Sequence, residues 1–170
     1  MKPDRTTVLI RGVAASDAPR LEEVRQAAFS PVFASFRAIL GEDIYQVAQA
    51  RADEAQADYL VSLLAHDSAW EVYVAEQAGI VIGFVSLQVN RDTTIGEIGL
   101  NAVHPDWAGA GIGTAMYDFA VKRMREAGML VATVSTGGDP SHAPARRAYE
   151  KAGFTVGIPS VWLCQKLWHE

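Results

Sequence analysis

The chain has 170 residues, of which 49% are hydrophobic and 21% charged, with a net charge of −5. Such a length and apolar content suit a single domain spanning residues 1–170 with a proper core, and 14 glycines with 7 prolines are too few for a disordered or fibrous chain. The acidic balance argues against nucleic acid as a partner, the lone Cys164 excludes an internal disulfide, and Met1-Lys2-Pro3-Asp4-Arg5 leads into no apolar run suited to a signal or membrane span, so a cytoplasmic protein with no membrane partner is expected.

Thr6 to Val13 carries the β-formers Val8, Leu9 and Ile10 and predicts a strand, after which Ser16-Asp17-Ala18-Pro19 opens a helix. Leu21, Val24, Ala27 and Ala28 recur at helical spacing, Pro31 is expected to end that run, and a second short helix is predicted through Phe33, Phe36, Ile39 and Leu40. Gly41 to Asp53 gives no clear signal. Tyr59, Leu60, Leu63 and Leu64 predict a helix over Ala55 to His66. Trp70 to Gln77 and Ile80 to Val89, joined at Ala78-Gly79, read as a hairpin, and a turn at Arg91-Asp92 leads to a third strand, Ile95 to Val103. The period then becomes helical from Gly111 to Ala127, Leu130 to Thr136 reads as a short buried strand, and Ala145 to Ala152 as a helix capped at Gly153. Two final strands are predicted at Phe154–Val156 and Ser160–Leu167. The fold class is therefore α+β: a mixed, mostly antiparallel central sheet with helices on both faces, its one parallel pair formed across the Ile95–Thr136 strand-helix-strand unit.

The most informative segment is Val103-His104-Pro105-Asp106-Trp107-Ala108-Gly109-Ala110-Gly111-Ile112-Gly113-Thr114, a strand running through a glycine turn into a helix. Glycines at alternate positions let the backbone approach a ligand, and the first helical N–H groups form an anion site suited to a pyrophosphate, although tight strand-helix packing also uses such turns. A dinucleotide fingerprint fails, because the third glycine position falls on Thr114 or Met116, and a nucleotide-hydrolase loop fails for want of a lysine before Thr114.

The segment instead resembles the main motif of the GNAT superfamily of N-acyltransferases, Gln/Arg-x-x-Gly-x-Gly/Ala, with Gly111 and Gly113 in register and Ala108 where the family carries Gln or Arg. A second stretch, Ser141 to Phe154, is similar to the family's Asn-x-x-Ala-x-x-x-Tyr-Glu-Lys-x-Gly-Phe: Ala145, Tyr149, Glu150, Lys151, Gly153 and Phe154 match, and His142 stands at the Asn position.

The resemblance implies acetyl-CoA as co-substrate and direct transfer of its acetyl group to an amine within a ternary complex. It implies that the pantetheine arm lies along Ala102 and Val103 where two strands splay, and that the pyrophosphate meets Gly109, Ala110, Gly111, Ile112, Gly113 and Thr114, with His142 bonding the cofactor or sitting as a surface residue. Tyr149 would protonate the departing thiolate, whereas helical spacing alone reads it as a core tyrosine. Glu97 is the candidate base, expected on the face opposite Ile98, Leu100 and Ala102, with a solvated strand glutamate as the competing reading; Asn101, expected on the same side as Glu97, either polarises the substrate or sits at a bulge. The basic residues Lys122, Arg123, Arg125, Arg146, Arg147 and Lys151 either hold the adenosine phosphates or form a solvated face. Phe29, Phe33, Phe36 and Tyr45 fall where the acceptor site is capped, or belong to the core. His66, His104, His142, His169 and Cys164 show no metal-ligand spacing, so no metal is expected.

The expected acceptor is a small-molecule or peptide amine, with the negative charge favouring a cationic one. A homodimer through the C-terminal strands, with Trp162 and Trp168, is a further expectation beside a core role for both. The competing class of function is a catalytically weak coenzyme A-binding or partner-binding domain on the same fold.

Overall fold

The structure is a computed structural model and describes residues 7–168, so Thr6 and His169 lie outside the described residues. Five strands line up in sequence order: β1 (Leu9–Gly12), β2 (Glu71–Gln77), β3 (Ile80–Asn90), β4 (Ile95–Val103) and β5 (Val131–Val134). β1 to β4 pair antiparallel because short turns join β2, β3 and β4; Ala78 and Gly79, at φ 51° and 77°, supply the positive-φ pair that such a hairpin needs. β5 pairs parallel with β4, the intervening crossover being helix α4 (Ile112–Glu126).

Helix α1 (Ala18–Leu40) runs straight through Pro31, contrary to the expected break. Proline removes one intrahelical donor, and Pro31 sits on an exposed face while Val24 and Val32 bury on either side of it, so packing outweighs that loss. The silent stretch after Gly41 forms α2 (Glu42–Ala48), and α3 starts early and runs from Ala50 to Leu63.

The sheet has a core on each face. Against α4 and α5 (Ala143–Lys151) lie Leu87, Ile98, Met116, Ala120, Met124 and Tyr149; against α1 and α3 lie Leu21, Val24, Leu60, Val74, Phe84 and Ala102.

Two expectations fail at the C-terminal side. β5 is an edge strand with Leu130 and Val131 exposed, not a buried one. Beyond Gly153, at φ 98°, neither Phe154–Val156 nor Ser160–Leu167 forms a strand; Phe154 packs against the α4/α5 core, and the chain after it is irregular and largely exposed, tied at Lys166, whose Nζ lies 2.5 Å from Asp43 Oδ2. β-Propensity needs a paired neighbour to become a strand, and here this arm has none on its own domain.

Candidate active site

A bulge in β4 decides which side chains reach the site. Val85 pairs with Asn101 and Leu87 with Ile98, so Gly99 and Leu100 together oppose Ser86. Before the bulge, Gly96 abuts Met124 of α4 and Glu97 points to the α1/α3 face; after it the sides exchange. Asn101 therefore faces α4 and α5, opposite Glu97, while Leu100 and Ala102 share the face of Glu97. The expected alternation is corrected at this one extra residue.

On the α4/α5 side, Asn101 joins two tyrosines. Its Nδ2 donates to Tyr149 Oη at 2.9 Å and to the Gly99 carbonyl at 2.9 Å, and its Oδ1 accepts from Tyr117 Oη at 2.7 Å. The two rings stack with centroids 4.3 Å apart. Burial pushes the Tyr149 phenol up, against the opposing pull of the Asn101 and Tyr117 hydrogen bonds, and burial also raises Tyr117, so both carry their protons at neutral pH. Gly113 faces Ala148 of α5 and the Tyr117 ring, where a Cβ would make ordinary contacts at 3.7 and 3.8 Å. Tyr117 escaped the sequence reading; its place one helical step after Gly113 and Met116 was the available signal.

The parallel pairing of β4 with β5 runs from Ile95↔Val131 to Ile98↔Val134, and β4 continues to Val103 alongside β3 alone. The strands thus part at the bulge, leaving the β4 edge from Gly99 to Val103 without β5 beside it; His104 N–H bonds Ile82 O of β3, so by alternation Val103 rather than Ala102 turns its backbone groups to the gap. The chain then passes Ala108 and Gly109 (φ 77°), both exposed, and Ala110 to Gly111, which caps α4 in the left-handed conformation at φ 82° with no side-chain cap. Ala115 N–H is bonded to Gly111 O, so the turn from Gly109 through Ile112 and Gly113 to Thr114 presents a helix N-terminus at the end of the gap. Ile112 itself is buried in the α4/α5 core.

The expected basic cluster disperses. Arg123 donates to Glu71 Oε2 at 3.0 Å, Lys122 pairs with Glu126, and Arg146 Nη1 clamps the β5–α5 loop through the carbonyls of Gly137 at 2.5 Å and Asp139 at 2.8 Å.

On the α1/α3 side the aromatic set does assemble. Phe33, Tyr45 and Asp53 line a cleft of about 540 Å³, which adjoins a second of about 470 Å³ walled by Phe29, Phe33, Phe36, Asp53, Tyr59 and His142. Asp53 is buried, accepting from Tyr45 Oη at 2.7 Å and Gln49 Nε2 at 2.8 Å. Burial and then the negative charge of Glu97, which β4 alternation puts on this face, raise the Tyr59 phenol. His142 is fixed by Asp139, whose Oδ1 lies 2.5 Å from Nδ1, and stacks on Phe36 at 5.8 Å. Asp139 also accepts from Ser35 Oγ at 3.0 Å and from Ser141. Burial opposes its ionisation, but the hydrogen bonds from Ser141, His142 and Ser35 outweigh it and hold the carboxyl down at about 2. Asp139 was missed too, although an Asp before Pro140 is a readable capping signal.

Residues 33–154 match the model of the acetyltransferase (GNAT) family, and the chain belongs to that family. It is 37% identical over 97 residues to a mycothiol acetyltransferase of Sanguibacter keddieii; the match covers 54% of this chain and 30% of that protein, so the chain spans about a third of that relative's length. In structure it resembles the PaiA N-acetyltransferase of Thermoplasma acidophilum in complex with coenzyme A, with a TM-score of 0.66, 18% identity and coverage of 91% and 93% of the two chains. It also resembles a GNAT family acetyltransferase of Brucella melitensis in complex with acetyl-CoA, with a TM-score of 0.58, 22% identity and coverage of 79% of each chain. Among the described residues no group of three or more His, Cys, Asp or Glu could hold a metal ion, and no helix is long and apolar enough to cross a membrane.

Proposed function

We propose that the chain is an N-acetyltransferase that transfers the acetyl group of acetyl-CoA to a cationic amine by direct attack in a ternary complex. The observation that carries this is the parting of β4 from β5 at the bulge, directly upstream of the uncapped N-terminus of α4. An open β4 edge suits an extended amide-bearing arm, with backbone hydrogen bonds available at Val103, and the N–H groups and dipole from Gly109 to Thr114 suit a pyrophosphate. No side chain at Ala108 assists, so the backbone supplies that contact.

Tyr149 is the proposed general acid. Its protonated phenol lies in a dry site beside the bulge, where Asn101 orients the oxygen as a donor to sulfur. The acceptor is proposed to enter from the α1/α3 side, where Phe29, Phe33, Phe36 and Tyr59 offer ring faces and Asp53 a buried carboxylate, a lining suited to an ammonium on an apolar body. Glu97, on that side beside Tyr59, is proposed to carry the displaced proton to water. The mycothiol acetyltransferases share only part of their length with this chain, so the acceptor class rests on this cleft alone.

Thiol release from acetyl-CoA across a panel of cationic amines, with the acetylated product identified by mass, tests the reading. Coenzyme A binding without thiol release would instead support a catalytically weak coenzyme A-binding domain.

A further inference from the structure

An ammonium must lose a proton before its nitrogen can attack a thioester, so the group that first meets it has to present a lone pair within the acceptor cleft. Glu97 is exposed on β4 and is not among the residues that wall the cleft. His142 is different: it is part of the cleft wall, with its side chain only 18% exposed.

Three contacts fix the ring. Asp139 Oδ1 takes Nδ1 at 2.5 Å, Phe36 stacks on one face at 5.8 Å, and Ser35 of α1 holds the other oxygen of the same carboxylate at 3.0 Å. Arg146 in turn fixes the Asp139 carbonyl at 2.8 Å. A carboxylate on Nδ1 selects the tautomer that carries its proton there, which leaves Nε2 as the lone-pair nitrogen, and it offsets the charge of an imidazolium once formed. The other titratable groups on the cleft are Asp53 and Tyr59 of α3; Asp53 is already bonded to Tyr45 and Gln49, and Tyr59 is raised by burial and by Glu97.

Resting on the acetyltransferase reading above, we propose that His142, oriented by Asp139, is the base that deprotonates the acceptor ammonium. Nε2 takes one N–H proton, and the freed nitrogen pair forms the C–N bond to the acetyl carbon. The C–S bond breaks with its electron pair on sulfur, which receives the Tyr149 proton. The second N–H proton, shed as the amide forms, restores Tyr149, and the proton on His142 leaves to water. The net products are the acetamide, the free thiol and one proton.

The test is the pH dependence of kcat/KM for wild type, His142→Gln, Asp139→Asn and Glu97→Gln with the best cationic amine found, alongside acetyl-CoA affinity by calorimetry. Loss of a positioned base lowers turnover by about 100-fold to 10,000-fold. His142→Gln is expected to lose activity in that range below the pKa of the acceptor and to regain much of it above, where neutral amine is supplied by solution. The acidic limb of the wild-type profile is expected to vanish. Asp139→Asn, which keeps the ring but removes the charge, is expected to fall in between, with acetyl-CoA affinity unchanged in both. A His142→Gln variant that keeps the wild-type limb, or a Glu97→Gln variant that alone abolishes it, overturns the assignment. Wild type that binds acetyl-CoA yet acetylates no amine overturns the acetyltransferase reading and this inference together, whereas an active wild type with an unaltered His142→Gln profile overturns this inference alone.

Discussion

Removing one oxygen from Tyr149 separates its two roles. In Tyr149→Phe the ring still stacks on Tyr117, but Asn101 Nδ2 keeps only the Gly99 carbonyl, so stability is expected to fall by about 1 kcal/mol. Turnover is expected to fall about 100-fold to 10,000-fold at unchanged Michaelis constant, as for a group acting only in the transition state. A structural tyrosine would give the reverse, a lowered melting temperature with full turnover in the folded protein. Asp139 provides a second test at this scale. Its carboxyl is held at about 2, below the ordinary value of 3.8, so the stability it contributes is fully present above that ordinary value and is lost as pH falls through about 2. Acid unfolding of wild type is expected to steepen in that window and that of Asp139→Asn to lack the component; coincident slopes would contradict it. Tyr149 was legible because it falls within a recognisable motif. Its partners were not, because the Tyr117–Asn101–Tyr149 contacts join three elements and no spacing along one chain announces them.

At the scale of elements, a single bulge governs the site. The period-2 pattern of Ile95 to Val103 was readable, yet it put Asn101 beside Glu97, since one inserted residue reverses every later side chain without altering composition. Gly99 makes room for this: a Cβ there would sit 2.4 Å from a Trp70 ring carbon and 2.8 Å from Ser86 Oγ. Gly99→Val is expected to cost about 1–3 kcal/mol in denaturant titration through overpacking. It is also expected to lower turnover in the folded fraction, because Asn101 turns with the strand; normal turnover would show that the bulge does not set the site. Pro31 illustrates the same limit. The local rule ends a helix there, and burial of Leu21 and Val24 before it and of Val32 after it overrides the rule.

For the whole molecule, the order of the five strands and the helices α3, α4 and α5 were legible from periodicity, whereas α1 read as two helices and α2 gave no signal. The arm beyond Gly153 was not, because whether a β-prone segment pairs depends on a partner edge that it does not itself encode. That arm exposes Ile158 at 97% and Leu163 at 85%, with Trp162 and Trp168 also exposed, while β5 forms an open sheet edge. A second copy is proposed to satisfy both, each arm adding to the partner's β5 edge. Light scattering is expected to give a dimer for wild type and a monomer for Trp162→Ser combined with Leu163→Ser; a monomeric wild type contradicts the exchange.

The central claim is transfer of acetyl from acetyl-CoA to an amine, and the most direct measurement is thiol release paired with product mass for the full chain against cationic amines at neutral pH. The account predicts amine-dependent thiol release with one acetyl group gained per acceptor, abolished when the amine is omitted and strongly reduced in Tyr149→Phe. Tight acetyl-CoA binding with no amine-dependent release, or equal release by wild type and Tyr149→Phe, would contradict it.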